Sequence, residues 1–519
     1  MAIYEPSHAD WHKMPEIQAP FHPTRSCNVS SYTGSSSGSE CDGPYATQYR
    51  RFRNLDDLLT CVYQYYLRHG FWCICSERLT YVLTIVFTIV YATLLLFYID
   101  WVQLSRCADV NECVIFRYTG ESYTTIGWIS SGSFLSLCLV FMVWNVGHCA
   151  LSIRRFQTIR QLFRNANLDI SQLASWSDVC GHVSTVVEAL RLPDVTRRLT
   201  ETEITQRITR NDTFMTAFLN HSLFECQVTP IRFRQSRLTK TLAWSISLCV
   251  FTGMLKSDGT LDSTFVNAPV NLRKRLRLLG CIMAALSPFL FLFVAIYYFL
   301  KYAEHVYKNP FYIATRRWSP YARFCMGKSG ELPHLTSCRV ELAYKTVEVV
   351  IGKYPRHLPF IWCRFVSFIL GSFVGTILVI GVVSERALLL RIGEHDLLWI
   401  LAVLSSFILL VRSSSDINRT PQDSEDDLMN MLKAYMINYP GEWSTCSTHK
   451  VADDLSVLCP PVSLFFLYEL VGILTTPLYL FFSISHRAND IVEFIRTHAT
   501  TVENVGVVCQ YNYKQWTTP

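Results

Sequence analysis

The sequence predicts an all-α polytopic membrane protein with four transmembrane helices and two re-entrant membrane elements per subunit. Three observations carry that prediction. Half of the 519 residues are hydrophobic and only 17% are charged, below the roughly 25% typical of soluble domains. The apolar residues gather in runs near the ~20 residues that a helix needs to cross a bilayer core of ~30 Å. Arginines and lysines gather beside those runs, as cytosolic membrane flanks do, and they form no nucleic-acid-binding face.

Residues 1–53 read as a disordered cytosolic tail centred on the low-complexity stretch "SSYTGSSSGSE". The tail contains no apolar h-region, so no cleavable signal peptide is expected. It carries "YRRF", a tyrosine-based pattern from Tyr49 to Phe52 that can serve as a sorting motif and also recurs by chance. Residues 54–78 form a cytosolic helix before the first span. Residues 79–151 hold the first two transmembrane helices. The run from Leu79 to Ile99 has no charge inside it and follows Arg50, Arg51, Arg53, Arg68 and Arg78, which puts its N-terminal side in the cytosol. The loop over residues 100–127 has Arg106 and Arg117 against four acids and suits the lumen. It contains Cys107 and Cys113, for which a disulfide and two free thiols both remain open. The other cysteines fall in apolar runs or in cytosolic stretches, where thiols stay reduced. Cys73, Cys75 and Cys363 sit beside membrane segments, as acylation sites or as ordinary small hydrophobes.

Residues 152–277 form a cytosolic and interfacial helical region. In "RRFQTIRQLFRNA", Phe156, Ile159, Leu162 and Phe163 share a face that the arginines avoid, which predicts an amphipathic helix lying at the membrane interface. A short apolar piece, Leu242 to Leu255, is too short to span. Residues 278–308 are read as the first re-entrant element. "RKRLR" precedes it, while Lys301, Lys308, Arg316, Arg317 and Arg323 follow, so both flanks read as cytosolic. Pro288 removes a helix hydrogen bond near the middle and marks the expected reversal. A cytosolic segment occupies residues 309–361. The third and fourth transmembrane helices fall within 362–412. Ser367, Gly371 and Gly375 give the third a small-residue face. The fourth, Leu397 to Val411, is roughly 22 Å long. Residues 413–461 return to the cytosol. Residues 462–512 hold the second re-entrant element, with Gly472 and Pro477 inside Val462–Ile484, and a C-terminal helix; 513–519 are a short tail. Both termini are predicted to be cytosolic.

Little in this chain points to catalysis. No phosphate-binding glycine loop and no HExxH motif is present, so no cofactor, no metal and no enzymatic activity are expected. Ser133 and His148 lie about 22 Å apart along one helix, too far for a catalytic dyad. Two features suit lipid contact. Lys301, Glu304, His305 and Lys308 recur at i, i+3, i+4 and i+7 and form one polar helix face of mixed charge. Such a face can hold the phosphate and amine of a headgroup, with Arg412 adding a phosphate contact, or it is a solvated surface. Glu469 is the one carboxylate well inside an apolar run; it is a functional candidate or a group that reaches the interface.

Several blocks also resemble a known family. They are "NLDDLLTCVYQYYLRHGFWC" from Asn54, "SWSDV" from Ser175, "FMTAFLNHSL" from Phe214, "PIRFR" from Pro230 and "YAE" from Tyr302. "RWSPYAR" from Arg317, "TTPLYLFF" from Thr475, "HRANDIVEFIR" from His486 and "VENVGVVCQY" near the end continue the series. Over Asn54 to Tyr511 they stand in the order found in autophagy-related protein nine, the transmembrane protein of autophagosome formation. The resemblance implies a domain-swapped homotrimer with four spans and two re-entrant elements per subunit. It further implies ATP-independent phospholipid scrambling in phagophore formation and expansion. The expected locations are Golgi-derived cytoplasmic vesicles, Golgi, endosomes and the phagophore assembly site. The implied partners are phospholipids, a bridge-like lipid transfer protein and other autophagy factors. A basic-basic-acidic triplet of animal relatives falls here on Tyr307, Lys308 and Asn309, and Leu409 matches a position on the family's lipid route. The family's long C-terminal tail is taken to be missing, because the chain ends at Pro519, and the N-terminal tail to be short. The alternative function is a non-scrambling scaffold that recruits autophagy machinery to vesicles.

Overall fold

The computed structural model describes residues 52, 54–99, 125–165, 175–189, 195, 197–224, 238–256, 259–308, 312, 315–327, 330–354, 357–383, 391–392, 395–413, 425–436 and 441–510. These are mostly helical and fall into two compact units. The first is drawn from Met1–Asn211, Trp244–Leu300 and Val492–Gln510, the second from Asp212–Ala243, Lys301–Ile491 and Tyr511–Pro519.

The first unit begins with the helix Leu55–Leu67, whose first turn carries Asp56 and Asp57, the favourable sign for a helix N-terminus. A turn through Gly70, at φ +101°, opens the helix Phe71–Thr93, which widens into a π-helical turn over Leu94–Tyr98. The second span lies in a 41-residue helix, Thr125–Asn165, about 60 Å long. The amphipathic segment expected at the membrane interface is the last part of that same helix. Its apolar face is fully buried at Phe156, Ile159, Leu162 and Phe163. The cover is protein: Phe163 stacks on Tyr65 at 6.3 Å and Arg155 meets Asp57 at 3.5 Å, both partners being on Leu55–Leu67. Spacing identified the face correctly but said nothing about what lies against it.

The expected reversal at Pro288 is absent. One helix of 40 residues, Pro269–Lys308, runs through the proline. A proline at position 288 cannot donate to the carbonyl of Ala284, and the Ser287 hydroxyl donates to that carbonyl instead, at 2.9 Å. A side-chain donor that replaces the missing N–H lets an apolar helix continue past proline. Around it the spans pack through rings, with Phe134 5.6 Å from both Phe97 and Phe289, and Phe141 5.4 Å from Phe293.

After the C-terminal helix Ala488–His498 comes an antiparallel hairpin, Ala499–Val502 with Gly506–Cys509, which periodicity had not indicated. Two arginines of the helix Glu201–Asn220 hold its turn. Arg207 Nε donates to the Asn504 carbonyl at 2.7 Å, and Arg210 donates to the Val505 carbonyl. Both also bind the Asp56 carboxylate, at 3.1 and 2.5 Å. Burial pulls the Arg210 guanidinium below its ordinary pKa, and Asp56 opposes that pull. Gly506, at φ +84°, lies against Gly259; a Cβ there would come within 2.8 Å of the Gly259 carbonyl oxygen.

In the second unit the third-span helix His357–Val383 packs against Leu397–Ser413, joined by the two-residue strands Arg391–Ile392 and His395–Asp396. Pro333–Lys353 packs against Glu425–Tyr435 and Thr448–Leu458. Val462–Leu478 continues without a break through Gly472 and Pro477 and becomes π-helical over Tyr479–Ile484. The second expected reversal is therefore also not found within the apolar run. Among the described residues five helices are long and apolar enough to cross a membrane: Phe71–Tyr98, Ser131–Arg164, Pro269–Lys308, Arg364–Val383 and Val462–Ile484. Leu397–Ile408 is a shorter apolar helix. The sequence reading of four spans treats the two proline-bearing runs as broken, whereas both are continuous helices.

Candidate functional site

The polar residues singled out from the sequence belong to the second unit, and the fold separates them into exposed and buried groups. Lys301, Glu304, His305 and Lys308 occupy the last turns of Pro269–Lys308. Lys308 Nζ meets Glu304 Oε1 at 2.5 Å, with the two side chains 68% and 67% exposed. His305 turns to the protein and stacks on Tyr312 at 5.0 Å. Tyr307, beside the stripe, is 90% exposed. Glu304 and Lys308 thus form a self-neutralised, solvent-facing pair one to two turns beyond the apolar run, with an aromatic wall at His305.

Glu469 is buried, at 5% exposure. Its carboxylate accepts the backbone N–H of Lys240 at 3.1 and 3.2 Å, at the first turn of the helix Lys240–Met254. The carboxylate thereby accepts one of the N–H groups that a helix start leaves without an intrahelical acceptor, and it sits at the positive end of that helix. Thr239 caps the same turn by accepting the Leu242 N–H at 3.3 Å. The close approach depends on Gly472, where a Cβ would come within 2.6 Å of the Thr239 side chain. Glu469 therefore neither lies in the exposed stripe nor reaches the surface.

Sequence reasoning missed the residues that link these features. Arg317 donates to the Tyr302 hydroxyl at 3.5 Å and lies over the Phe465 ring at 5.4 Å, while Tyr302 meets Phe466 edge-on at 6.4 Å. The signal was present in "RWSPYAR". Ser319 caps the helix Pro320–Met326 by accepting the Ala322 N–H, with proline at its first position. The backbone ahead of that cap pairs with the start of Val462–Leu478, through Arg317 N–H to the Pro460 carbonyl at 2.9 Å and Val462 N–H to the Thr315 carbonyl at 2.8 Å. A capping signature was legible; a long-range backbone pairing was not.

Leu409 and Arg412 lie in the last turns of Leu397–Ser413, and their side chains are outside the described residues, as are Asn309, Tyr49, Cys107 and Cys113. Phe52, the bulky residue of the sorting pattern, is buried at 5% exposure. Cys73 is exposed and Cys75 half-buried.

Among the described residues, long apolar helices with exposed faces and polar ends, beside only short strands, mark a multi-pass membrane protein. The chain belongs to the autophagy protein ATG9 family, whose sequence profile matches residues 47–513. It is a family of autophagy membrane proteins. Autophagy-related protein 9 of Eremothecium gossypii is 28% identical over 488 residues, covering 88% of this chain and 52% of that protein. The Dictyostelium discoideum protein of the same name is 26% identical, covering 88% of this chain and 66% of its own length. This chain thus spans about half to two thirds of those relatives. The cryo-EM structure of Schizosaccharomyces pombe Atg9 superposes with a TM-score of 0.63 at 25% identity, over 88% of this chain and 98% of that one.

Proposed function

We propose that this protein is an ATP-independent phospholipid scramblase of phagophore formation and expansion, carried on Golgi-derived vesicles and acting as a homotrimer. The observation that carries the reading is the exposed Glu304–Lys308 pair at the end of the helix Pro269–Lys308, just beyond its apolar run. Moving a headgroup through hydrocarbon is slow because its charge and hydrogen bonds lose water. A polar track beside the hydrocarbon lowers that barrier. A carboxylate paired with an ammonium matches the amine and phosphate of a zwitterionic headgroup. Lys301, His305, Tyr307, Asn309, Leu409 and Arg412 are proposed to extend the track. Glu469 supports it by holding the start of the helix Lys240–Met254.

Trimer formation draws support from the third-span helix. A Cβ at Gly371 or Gly375 would meet nothing within 4 Å, so this small-residue face has room for a helix of a second copy. A detergent-corrected mass of one chain, 59.7 kDa, would refute the trimer. The proposed partners are a bridge-like lipid transfer protein and other autophagy factors.

The test is reconstitution into liposomes with headgroup-labelled lipids. Quenching from outside should exceed half of the signal; quenching that stops at half leaves the scaffold reading. Replacing Lys301, Glu304, His305 and Lys308 together with leucine should slow scrambling with the oligomer intact. A wild-type rate in that variant would remove the stripe from the path.

Basic residues flank the Pro269–Lys308 helix at both ends, but the helix runs unbroken through Pro288 and is long and apolar enough to cross a membrane. Impermeant cysteine labelling just before Leu278 and just after Lys301 decides between the two: opposite sides make the helix a full crossing, and one cytosolic side makes it an element that enters and leaves by the same face.

A further inference from the structure

Arg317 is a half-buried cation whose hydrogen-bonding capacity the fold takes up only in part. Its backbone is fixed, with the N–H on the Pro460 carbonyl at 2.9 Å, and its guanidinium lies over the Phe465 ring at 5.4 Å. A guanidinium carries several N–H donors in a planar fork. One of them reaches the Tyr302 hydroxyl, at 3.5 Å, and among the described residues the side chain forms no ion pair. Glu469 acts on it electrostatically, but that carboxylate already takes the Lys240 N–H. Lys240 brings a second cation to the same ring, with Nζ 5.9 Å from its centre. Around Phe465 two cations therefore face one buried carboxylate, and positive charge is in excess.

Beside Arg317 runs a row of half-buried rings. Tyr302 meets Tyr312 at 6.0 Å, and Tyr312 stacks on His305 at 5.0 Å, so the row leads from the guanidinium to the helix turn that carries the exposed Glu304–Lys308 pair. Tyr302 stands two residues beyond Leu300, where the apolar run of Pro269–Lys308 ends, and Phe465 lies in the first turn of Val462–Leu478. The cation and the rings therefore gather at the ends of two helices that are long and apolar enough to cross a membrane, the level at which headgroups lie. A soluble anion would use the guanidinium and leave the rings idle. A hydrocarbon tail would cover the rings and leave the charge unanswered. A choline headgroup answers both, because its phosphate suits the planar N–H fork and its quaternary ammonium suits aromatic faces.

We infer that Arg317 and the Tyr302–Tyr312–His305 row form a binding site for phosphocholine headgroups. The phosphate sits on the Arg317 guanidinium beside the Tyr302 hydroxyl, and the trimethylammonium lies against the tyrosine rings, on the side of the Glu304 carboxylate. The site makes phosphatidylcholine the preferred lipid at this end of the track and gives Arg317 the phosphate contact. As a station on a lipid path it rests on the scramblase reading; as a headgroup site it does not, since binding requires no movement of lipid between leaflets.

The experiment uses the full chain in maltoside micelles, which carry no phosphate, with glycerophosphocholine as the probe. Saturation-transfer NMR reads the contact of its trimethylammonium protons with the protein, and a titration gives the Kd. Arg317→Gln should weaken binding about ten-fold, and Tyr312→Leu about three-fold. Inorganic phosphate and choline chloride, tested singly, should each bind more weakly than the probe. Inorganic phosphate that binds as tightly as the probe would overturn the proposal in favour of a free-anion site. Absence of saturation transfer in the wild type would overturn it too, as would wild-type affinity in folded Arg317→Gln. Should Arg317→Gln not fold, the Tyr302→Phe, Tyr312→Leu double variant decides, and wild-type affinity there overturns the site. Binding by a protein that fails the liposome assay would remove the scramblase reading and leave the site; scrambling without binding would do the reverse.

Discussion

Around Asp56 two guanidiniums converge inside the protein, Arg207 at 6% and Arg210 at 3% exposure. Around Glu304 a single ammonium, from Lys308, meets the carboxylate with both side chains about two-thirds exposed. The first cluster joins three distant stretches of chain, the helix Leu55–Leu67, the helix Glu201–Asn220 and the turn of the C-terminal hairpin. The second joins two neighbouring turns of one helix. Buried ions have left water and cannot regain it if a partner is removed, so each depends strongly on the others. Exposed ions keep their water and lose little. Charges in the first situation belong to the fold and are out of reach of a ligand. Those in the second cost the fold almost nothing to redirect, which is what the proposed lipid track requires of them. Glu469 differs from both, more deeply buried than the half-buried Asp56 and answered by a backbone N–H.

Asp56→Ala is expected to have the largest effect. It strands two buried guanidiniums and should cost about 3–5 kcal/mol. Heating followed by size-exclusion chromatography should show a sharply lower melting temperature and weakened protease protection of the hairpin. A variant as stable as the wild type would mean that the cluster is not a structural centre.

Glu469→Leu is expected to cost less, about 1–3 kcal/mol, because one buried backbone N–H loses its acceptor. Glu469→Gln keeps an acceptor oxygen and should recover most of the loss by the same thermal assay. Equal destabilisation by the two substitutions would show that the charge of Glu469, not its hydrogen bond, holds the Lys240–Met254 helix.

The smallest stability effect is expected for Glu304→Gln combined with Lys308→Gln. This double variant should melt with the wild type and scramble more slowly. Unchanged scrambling would move the candidate track elsewhere, and a lowered melting temperature would place this pair among the structural charges.

The helices were legible from the sequence because their signals are local. Apolar runs of spanning length, the i, i+3, i+4 face at Phe156 to Phe163 and the Ser319–Pro320 cap each depend on residues a few positions apart. Helical spacing alone also aligns Lys301, Glu304, His305 and Lys308, but only the fold shows that Glu304 and Lys308 are exposed while His305 turns to Tyr312. The continuity of the two proline-bearing helices was harder to read. Proline reports a missing N–H, but whether the helix breaks depends on what takes up the freed carbonyl. At Ala284 the acceptor is satisfied by Ser287, the residue just before the proline. That donor is local, so this continuity has a trace in the sequence.

The remaining features were decided by tertiary contacts. Periodicity marked the Phe156 face as one that must be covered, and only the fold supplied Leu55–Leu67 as its cover. Glu469 reads as a costly carboxylate in an apolar run; its partner lies 229 residues away in sequence. Arg207 and Arg210 look like ordinary helix-surface cations until the hairpin carbonyls, nearly 300 positions later, are brought against them. Local pattern determined which segments form helices and which faces must be hidden, because backbone hydrogen bonds and hydrophobic spacing act over a few residues. The tertiary structure decided which charges are buried, because burial depends on chain segments whose separation in sequence leaves no local trace.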